Sequence, residues 1–199
     1  MCGYIDAIDT NTKFVILMHP KEFKKVKNNT GFFTHLSLSN SEVFMGIDFS
    51  EHKRINEIIA SHESYILFPS SDAIDLSEKS PYENNKTEKP IAIFLIDSTW
   101  ACTKKIFTLS QNLNKLKHMS FTTDKRSQYE IKVQPQSNYL STIESTLVVL
   151  ELLDKWGIEK IKQKEFEGFL NPFFKMIEYQ KNLIDNPQSN AVRYRKRVL

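Results

Sequence analysis

Side chains that can hold a polar ligand and move a proton follow apolar segments of this chain at four places. They are His19-Pro20, Pro69-Ser70-Ser71, Asp97-Ser98-Thr99 and the stretch from Gln134-Pro135 to Ser141. These breaks supply an imidazole, a carboxylate, hydroxyls and an amide, which are groups that proton transfer and polar recognition use. Whether they can act together depends on the elements that position them.

Apolar periodicity predicts strands that alternate with helices over most of the 199 residues. The predicted strands are Lys13–Met18, Glu42–Ile47, Ser64–Phe68, Ile91–Ile96, a weaker one at His118–Thr122 and another at Tyr129–Val133. The predicted helices are Asn29–Leu38, Glu51–Ser61, Trp100–Leu109, Ser141–Trp156 and one or two more within Glu159–Ile184, broken near Asn171-Pro172. The segment Ser77–Pro90, rich in Pro, Asn, Lys and Glu, is predicted to be a surface loop.

This alternation indicates an α/β fold with a mainly parallel sheet and helices on both faces. The strand Ile91–Ile96 is apolar at every position, as expected of a central parallel strand. In open sheets of this kind, ligands bind outside the carboxyl ends of the strands. All four polar breaks lie at such ends, so we expect them to converge on one site.

Composition limits the class of protein. Hydrophobic residues make up 40% of the chain and charged residues 26%, which is typical of a globular protein. The longest unbroken apolar run is the six residues Ile91–Ile96, which is too short to span a membrane. The N-terminus has no secretion signal, so a cytoplasmic location is expected. The two cysteines, Cys2 and Cys102, cannot form a disulfide framework or a four-ligand zinc site alone, and no metal site is predicted.

The scarcity of glycine excludes several nucleotide-binding motifs. The chain has five glycines, and no two of them lie close together. A dinucleotide fingerprint or a phosphate-binding loop needs clustered glycines, so that backbone N–H groups can approach the phosphates. The Gly-x-Ser-x-Gly elbow of serine hydrolases is absent as well. A nucleotide-like cofactor must therefore be held by another kind of loop.

Positive charge is unevenly distributed, although the formal net charge is only +3. Residues 99–135 contain seven basic side chains and two acidic ones. The last nine residues contain Arg193, Arg195, Lys196 and Arg197 without any acid. Such blocks can follow a nucleic-acid backbone. The alternative, that they are only a solvated surface, stays open at this point.

An ordered set of short motifs resembles a known family. The set is His19-Pro20-Lys21-Glu22, Asn29-Thr30-Gly31, Leu67-Phe68-Pro69-Ser70, Asp97-Ser98-Thr99-Trp100, Gln134-Pro135 and Leu140-Ser141-Thr142-Ile143-Glu144. In this order and spacing the motifs resemble the DTW-domain family, which is named for its Asp-x-Thr-Trp motif and includes tRNA-uridine aminocarboxypropyltransferases. The resemblance extends from about Cys2 to about Gln180. It implies a SPOUT-like catalytic domain at residues 1–184, related to the knotted SPOUT methyltransferases and predicted to be knotted, before a basic C-terminal tail at residues 185–199.

The resemblance also implies a reaction and its partners. The protein would bind S-adenosylmethionine (SAM) without a glycine-rich loop. It would transfer a group from SAM to tRNA. The N3 atom of a uridine attacks the methionine-chain carbon next to sulfur, so that the 3-amino-3-carboxypropyl group is transferred and methylthioadenosine is released. Because the N3–H group is only weakly acidic, a base must remove its proton. Asp97, at the mouth of a buried strand, is the expected general base.

The motifs and the basic residues near them give the expected binding residues. For SAM they are Leu67, Pro69, Ser70, Ser98, Thr99, Gln134, Leu140, Ser141, Thr142 and Glu144, with Glu144 as a partner for the amine. For tRNA they are His19, Lys21, Trp100, Lys104, Lys105, Arg126 and Lys132. The sequence leaves the oligomeric state, monomer or homodimer, open.

Simpler roles compete for several of these residues. Asp97 or Thr99 can cap the helix that begins near Trp100, and Trp100 suits a core as well as it suits stacking on a base. Ser141 and Glu144 have the spacing of a capping box, which competes with a cofactor for the same helix start. Two further functions stay open: a SAM-dependent RNA methyltransferase of the knotted class, and a non-catalytic RNA-binding protein.

Two positions depart from the family pattern. Family members commonly have a cysteine cluster ahead of the first strand, whereas this sequence has only Cys2 there, so no structural zinc is predicted. An arginine that is common ahead of the Gln-Pro motif is replaced by Lys132. Lysine keeps the charge but lacks the two-pronged geometry of a guanidinium, so a phosphate or carboxylate would be held less firmly.

Overall fold

The computed structural model of the protein describes residues 2–21, 29–82, 88–131 and 139–185. The helices and strands in these ranges are, in chain order, β1 (Lys13–Met18), α1 (Thr30–Leu36), β2 (Ser41–Met45), α2 (Lys53–Ser61), β3 (Glu63–Leu67), β4 (Ile74–Asp75), β5 (Ile91–Asp97), α3 (Trp100–Leu109), β6 (Lys117–Ser120), α4 (Thr142–Lys155), α5 (Gln163–Phe169) and α6 (Asn171–Asp185). Short 3-10 helices lie at Cys2–Tyr4 and Leu113–Lys115. The helix predicted at Trp100–Leu109 is confirmed residue for residue.

The described strands form one six-stranded sheet in the order β2-β1-β5-β3-β6-β4. Every neighbouring pair in this sheet is parallel, which confirms the α/β fold with a parallel sheet. β5 lies near the centre, between β1 and β3, and its residues Ile91–Leu95 are buried. Met18 of β1 pairs with Asp97 of β5, so these two strands end at the same edge of the sheet.

Helices pack on both faces of the sheet, as the sequence predicts. On one face, Ile93 belongs to a core cluster that includes Val149 of α4 and Phe173 of α6. On the other face, Phe94 belongs to a second cluster that includes Ile106 of α3. Successive side chains of a strand point to opposite faces, so a strand covered on both sides must be apolar at every position.

One predicted strand is not present in the structure, and one strand of the sheet was not predicted. Tyr129–Ile131, the described part of the strand expected at Tyr129–Val133, is not a strand and ends in a turn. Tyr129 is buried although it does not belong to a strand. Its ring packs edge-on against Phe173, with 5.2 Å between ring centroids. The omitted strand is β4, whose two residues pair with β6 at the edge of the sheet.

Membrane-spanning helices and metal-binding clusters are both absent from the described part of the chain. No helix in these ranges is long and apolar enough to cross a membrane. Within the same ranges, no three His, Cys, Asp or Glu side chains are grouped so that they could hold a metal ion.

Candidate active site

A cavity of about 500 Å³ lies at the carboxyl edge of the sheet, beyond the ends of β3, β5 and β6. Its walls are formed by Thr30, Leu67, Phe68, Pro69, Leu95, Ile96, Asp97, Ser98, Thr99, Thr103, Met119, Ser120, Phe121, Tyr129, Tyr139, Leu140, Ser141, Thr142 and Ser145. The segments after β3 and β5 and the start of α4 therefore meet here, as expected for the ends of parallel strands. The volume is within the range of small-molecule sites, and the wall combines apolar side chains with a few hydroxyls and one carboxylate.

Asp97 supplies that carboxylate. It is the last residue of β5 and is 8% exposed. Thr142, the first residue of α4, donates its hydroxyl hydrogen to Asp97 Oδ1 at 2.7 Å. This hydrogen bond joins two motifs that are 45 residues apart in the sequence. It fixes the orientation of the carboxylate relative to the start of α4.

The backbone of α1 passes directly against the Asp97 side chain at Gly31. A Cβ atom on residue 31 would lie 2.5 Å from Asp97 Oδ2 and 2.9 Å from Asp97 Cβ, which is closer than non-bonded atoms approach. Glycine, which has no Cβ atom, permits this contact. The start of α1 is fixed by Asn29, whose Oδ1 accepts the Phe32 N–H at 2.7 Å. The Asn29-Thr30-Gly31 motif thus packs against the Asp97 carboxylate and helps to position it.

His19 lies beside Asp97 but is not part of the cavity wall. Its backbone N–H donates to the Asp97 carbonyl oxygen at 3.3 Å. The side chain is buried, and Nδ1 accepts the Lys21 N–H at 3.1 Å. Because Nδ1 is an acceptor, the neutral ring carries its hydrogen on Nε2. The role of His19 in tRNA binding stays a prediction.

The residues after Asp97 begin α3. Thr99 Oγ1 accepts the Cys102 N–H at 3.4 Å, so Thr99 and not Asp97 caps this helix. Ser98 Oγ lies 2.7 Å from Thr103 Oγ1. Ser98, Thr99 and Thr103 all line the cavity. The capping alternative is therefore confirmed for Thr99, while its side chain still borders the site.

Glu144 anchors a neighbouring loop. It is buried, and its carboxylate accepts the Ser141 N–H at 2.8 Å, the Ser127 hydroxyl at 2.9 Å and the Gln128 N–H at 2.6 Å. The bond from Ser141 N–H is the carboxylate half of the predicted capping box. The other two hold the segment that leads to Tyr129, a residue of the cavity wall. Glu144 thus shapes the cavity from outside it, and its contact with the SAM amine stays a prediction.

The expected SAM-binding residues are divided by the structure. Those that line the cavity are Leu67, Pro69, Ser98, Thr99, Leu140, Ser141 and Thr142. Ser70 and Glu144 lie outside its wall, and the Ser70 hydroxyl donates instead to Asp72 Oδ1 at 2.6 Å. Gln134 lies outside the described residues.

The expected tRNA-binding cations lie on the surface and not in the cavity. Lys21, Lys104, Lys105 and Arg126 are exposed, and none of these four forms an ion pair with another described residue. Trp100 begins α3, but its side chain lies outside the description, as does the whole of Lys132.

Several residues of the cavity wall were not predicted as site residues, although Thr30 and Phe68 belong to the quoted motifs. They are Thr30, Phe68, Leu95, Ile96, Thr103, Met119, Ser120, Phe121, Tyr129, Tyr139 and Ser145. A signal exists for Tyr139, which lies in a polar stretch outside every predicted strand and helix. Such an isolated aromatic residue is a candidate for a binding wall.

A profile of the DTW domain matches residues 1–181. The chain belongs to the DTW domain family. It is 29% identical over 160 residues to tRNA-uridine aminocarboxypropyltransferase 2 of Macaca fascicularis, covering 78% of this chain and 53% of that protein. It is 30% identical over 149 residues to the protein of the same name in Drosophila melanogaster, covering 72% of this chain and 57% of that protein. The chain thus spans about half the length of these curated relatives, and no solved structure matches it.

Proposed function

We propose that this DTW-domain chain transfers the 3-amino-3-carboxypropyl group of SAM to N3 of a uridine in tRNA. The observation that carries the proposal is the cavity at the carboxyl edge, with Asp97 in its wall and the Thr142 hydroxyl bonded to its carboxylate. The names of the DTW-domain relatives give the reaction class. We also propose that the domain shares the knotted SPOUT-like topology that the resemblance implies, and that it acts in the cytoplasm.

The residues of the cavity suit SAM as a substrate. Leu67, Leu95 and Met119 provide an apolar surface, which a nucleoside base can contact. The hydroxyl groups of Ser98 and Ser141 lie in the same wall. Because the Ser141 hydroxyl hydrogen is donated to Glu144, the Ser141 oxygen can accept a hydrogen bond from an amine. This chemistry agrees with the absence of clustered glycines, since no pyrophosphate has to be held. Gln134 and Ser70 complete the proposed set.

Asp97 is the proposed general base. It would accept the uridine N3 proton while a bond forms from N3 to the aminocarboxypropyl carbon. The bond from that carbon to sulfur breaks, its electron pair stays on sulfur, and methylthioadenosine leaves. When bound, SAM supplies the electrophilic carbon beside the sulfonium. The contributions of this chain are to place the carboxylate, through Thr142 and Gly31, and to exclude other orientations of the donor.

The exposed cations are proposed to hold the tRNA backbone. Lys21, Lys104, Lys105 and Arg126 have no ionic partner among the described residues, so they are available to phosphates. His19, Trp100 and Lys132 belong to the same proposal on the basis of the family motifs. Contacts to phosphates fix the register of an RNA without selecting its sequence. The position of the target uridine would then be set by the cavity.

Incubation of the chain with SAM and an unmodified tRNA transcript tests this function. The small-molecule by-product is identified by mass spectrometry, with reactions lacking tRNA as controls. We expect methylthioadenosine, formed only when tRNA is present. S-adenosylhomocysteine would instead show a methyltransferase. Binding of tRNA without either product, and without stabilisation by SAM, would show a non-catalytic RNA-binding protein.

A further inference from the structure

A relay of hydrogen bonds beside the cavity joins the loop after β3 to His118, the second residue of β6. Ser70 donates its hydroxyl hydrogen to Asp72 Oδ1 at 2.6 Å, and His118 Nδ1 lies 2.7 Å from the same hydroxyl oxygen. Since a serine has one hydroxyl hydrogen and a carboxylate accepts only, His118 Nδ1 must carry the hydrogen in the second bond. The hydrogen bond from Ser70 lowers the pKa of Asp72, and the positive charge of His118 lowers it further. The relay therefore fixes the orientation of the His118 ring.

Aromatic side chains surround the same imidazole. The rings of Phe68 and Phe107 meet edge to face, with 4.8 Å between centroids. The His118 ring lies 5.9 Å from each of them. All three side chains are partly exposed, and Phe68 also lines the cavity. The cluster thus continues the cavity wall onto the outer surface.

Helix α3 adds a positive charge to this surface. Thr103 lines the cavity, and Phe107 follows it at four residues, so both lie on one side of the helix. Lys104 precedes Phe107 by three residues and is exposed on the neighbouring strip. It forms no ion pair with any residue that the structure describes. An aromatic surface and an available ammonium group therefore lie one helical turn apart.

We infer that Phe68, Phe107 and His118 form a subsite for one unpaired nucleotide next to the modified uridine, with Lys104 on its phosphate. The inference rests on the proposed function. Single-stranded RNA is recognised by stacking of splayed bases on aromatic rings, with cations on the backbone. The partly exposed rings, the adjacent charge and the continuity with the cavity match that chemistry. A uridine that enters the cavity must leave its stack, which brings the flanking nucleotide onto this surface.

The chain offers a matched control for this cluster. Phe44 and His52 form a similar edge-to-face pair, with 4.8 Å between centroids, on the same face of the sheet. Phe44 belongs to β2, which is separated from β6 by four strand spacings, or about 19 Å. Phe44→Leu removes a comparable aromatic contact that is remote from the cluster, and Phe44 is not part of the cavity wall.

The test compares the affinities of the full chain and its variants for a tRNA transcript and for SAM. We expect Phe107→Leu and His118→Ala to raise the Kd for tRNA by about fivefold or more. For Phe107→Leu the Kd for SAM should stay unchanged, and Phe44→Leu should change neither value. Phe107→Tyr, which keeps a stacking ring, should bind tRNA within about twofold of the wild type.

Other outcomes overturn the inference. Equal weakening by Phe107→Leu and Phe107→Tyr would mean that the ring only packs. A loss of SAM affinity in place of tRNA affinity would make the cluster part of the donor site. Thermal unfolding of each variant shows whether lost binding reflects lost folding. If the wild type binds tRNA but releases no methylthioadenosine, the proposed reaction fails while the comparison of tRNA affinities still tests the subsite.

Discussion

A cavity near a buried carboxylate lies at the edge of the sheet where the strands end, the carboxyl edge, and another lies where they begin, the amino edge. The two carboxylates have different surroundings. At the carboxyl edge, Asp97 forms part of the wall of the cavity of about 500 Å³. At the amino edge, a cavity of about 320 Å³ is lined by residues that include Asn11, Thr12 and Trp156, but not by Glu159. The Glu159 carboxylate accepts the backbone N–H groups of Asn11 at 3.0 Å and Thr12 at 2.7 Å. It ties the turn before β1 to the segment after α4.

The comparison separates a carboxylate that holds the fold from one that can act on a ligand. Glu159 is 2% exposed, and both of its oxygens accept hydrogen bonds from one backbone turn. The neighbouring Gly157 has a φ of 71°, which ends α4 in the left-handed conformation that favours glycine. Asp97 is held by a side-chain hydroxyl and by a close backbone contact, and it borders open space. We therefore propose that the amino edge stabilises the fold and that the reaction takes place at the carboxyl edge.

Of the substitutions at the two edges, Asp97→Asn should have the largest effect on the reaction rate. The amide keeps the shape of the side chain but cannot act as a base at neutral pH. We expect the single-turnover rate with tRNA to fall by about a thousandfold, while the Kd for SAM changes by less than about threefold. Quenched-flow measurement of methylthioadenosine release checks this. A variant that reacts at the wild-type rate would remove Asp97 from the role of base.

Gly31→Ala should produce the next largest effect. The new methyl group must displace the Asp97 side chain, because it would lie 2.5 Å from Oδ2. We expect about a hundredfold lower kcat and a loss of about 1–3 kcal/mol in the free energy of unfolding. Gly168→Ala is the matched control, since its methyl group would meet its nearest neighbour at 3.7 Å. Full activity in Gly31→Ala would show that the close approach to Asp97 has no catalytic importance.

Thr142→Val tests whether the Thr142 hydroxyl contributes to catalysis by holding the Asp97 carboxylate. Valine keeps the branched shape but removes the hydrogen bond of 2.7 Å to Oδ1. We expect kcat to fall about tenfold with little change in KM for tRNA. Thr142→Ser should restore most of the activity, because it keeps the donor. A rise in the KM for SAM with an unchanged kcat would instead assign Thr142 to donor binding.

Glu159→Gln should have the smallest effect on the reaction. The amide leaves one backbone N–H of residues 11 and 12 without a suitable acceptor. We expect the free energy of unfolding to fall by about 1–3 kcal/mol, measured by urea denaturation. The kcat of the folded enzyme should equal that of the wild type. A large loss of kcat in the folded variant would show that the two edges are not independent.

Local features of the fold could be predicted from the sequence because they depend on neighbouring residues. The apolar run of β5 and the helix α3 follow from strand and helix periodicity, and the Thr99 cap follows from residue type at a helix start. β4 could not be predicted, because it has two residues and depends on pairing with β6. Tyr129 was misplaced for a similar reason: its burial depends on Phe173, which is distant in the sequence.

The location of the candidate site followed from a rule about parallel strands, whereas its internal contacts did not. The polar breaks after β3 and β5 meet at one edge, as that rule requires. The close packing of Asp97 against Gly31 and the hydrogen bond from Thr142 to Asp97 join segments that are remote in the sequence. The capping box of Ser141 and Glu144 was visible in the sequence, but the bonds of Glu144 to Ser127 and Gln128 were not.

A crystal structure of the chain with bound SAM tests most directly the claim that chemistry belongs to the carboxyl edge. We predict that the donor lies in the larger cavity, in contact with Pro69, Ser98 and Leu140, with its aminocarboxypropyl carbon beside Asp97. Density for the donor in the smaller cavity beside Trp156, or with the carboxylate of Asp97 out of reach of the transferred group, would contradict the account.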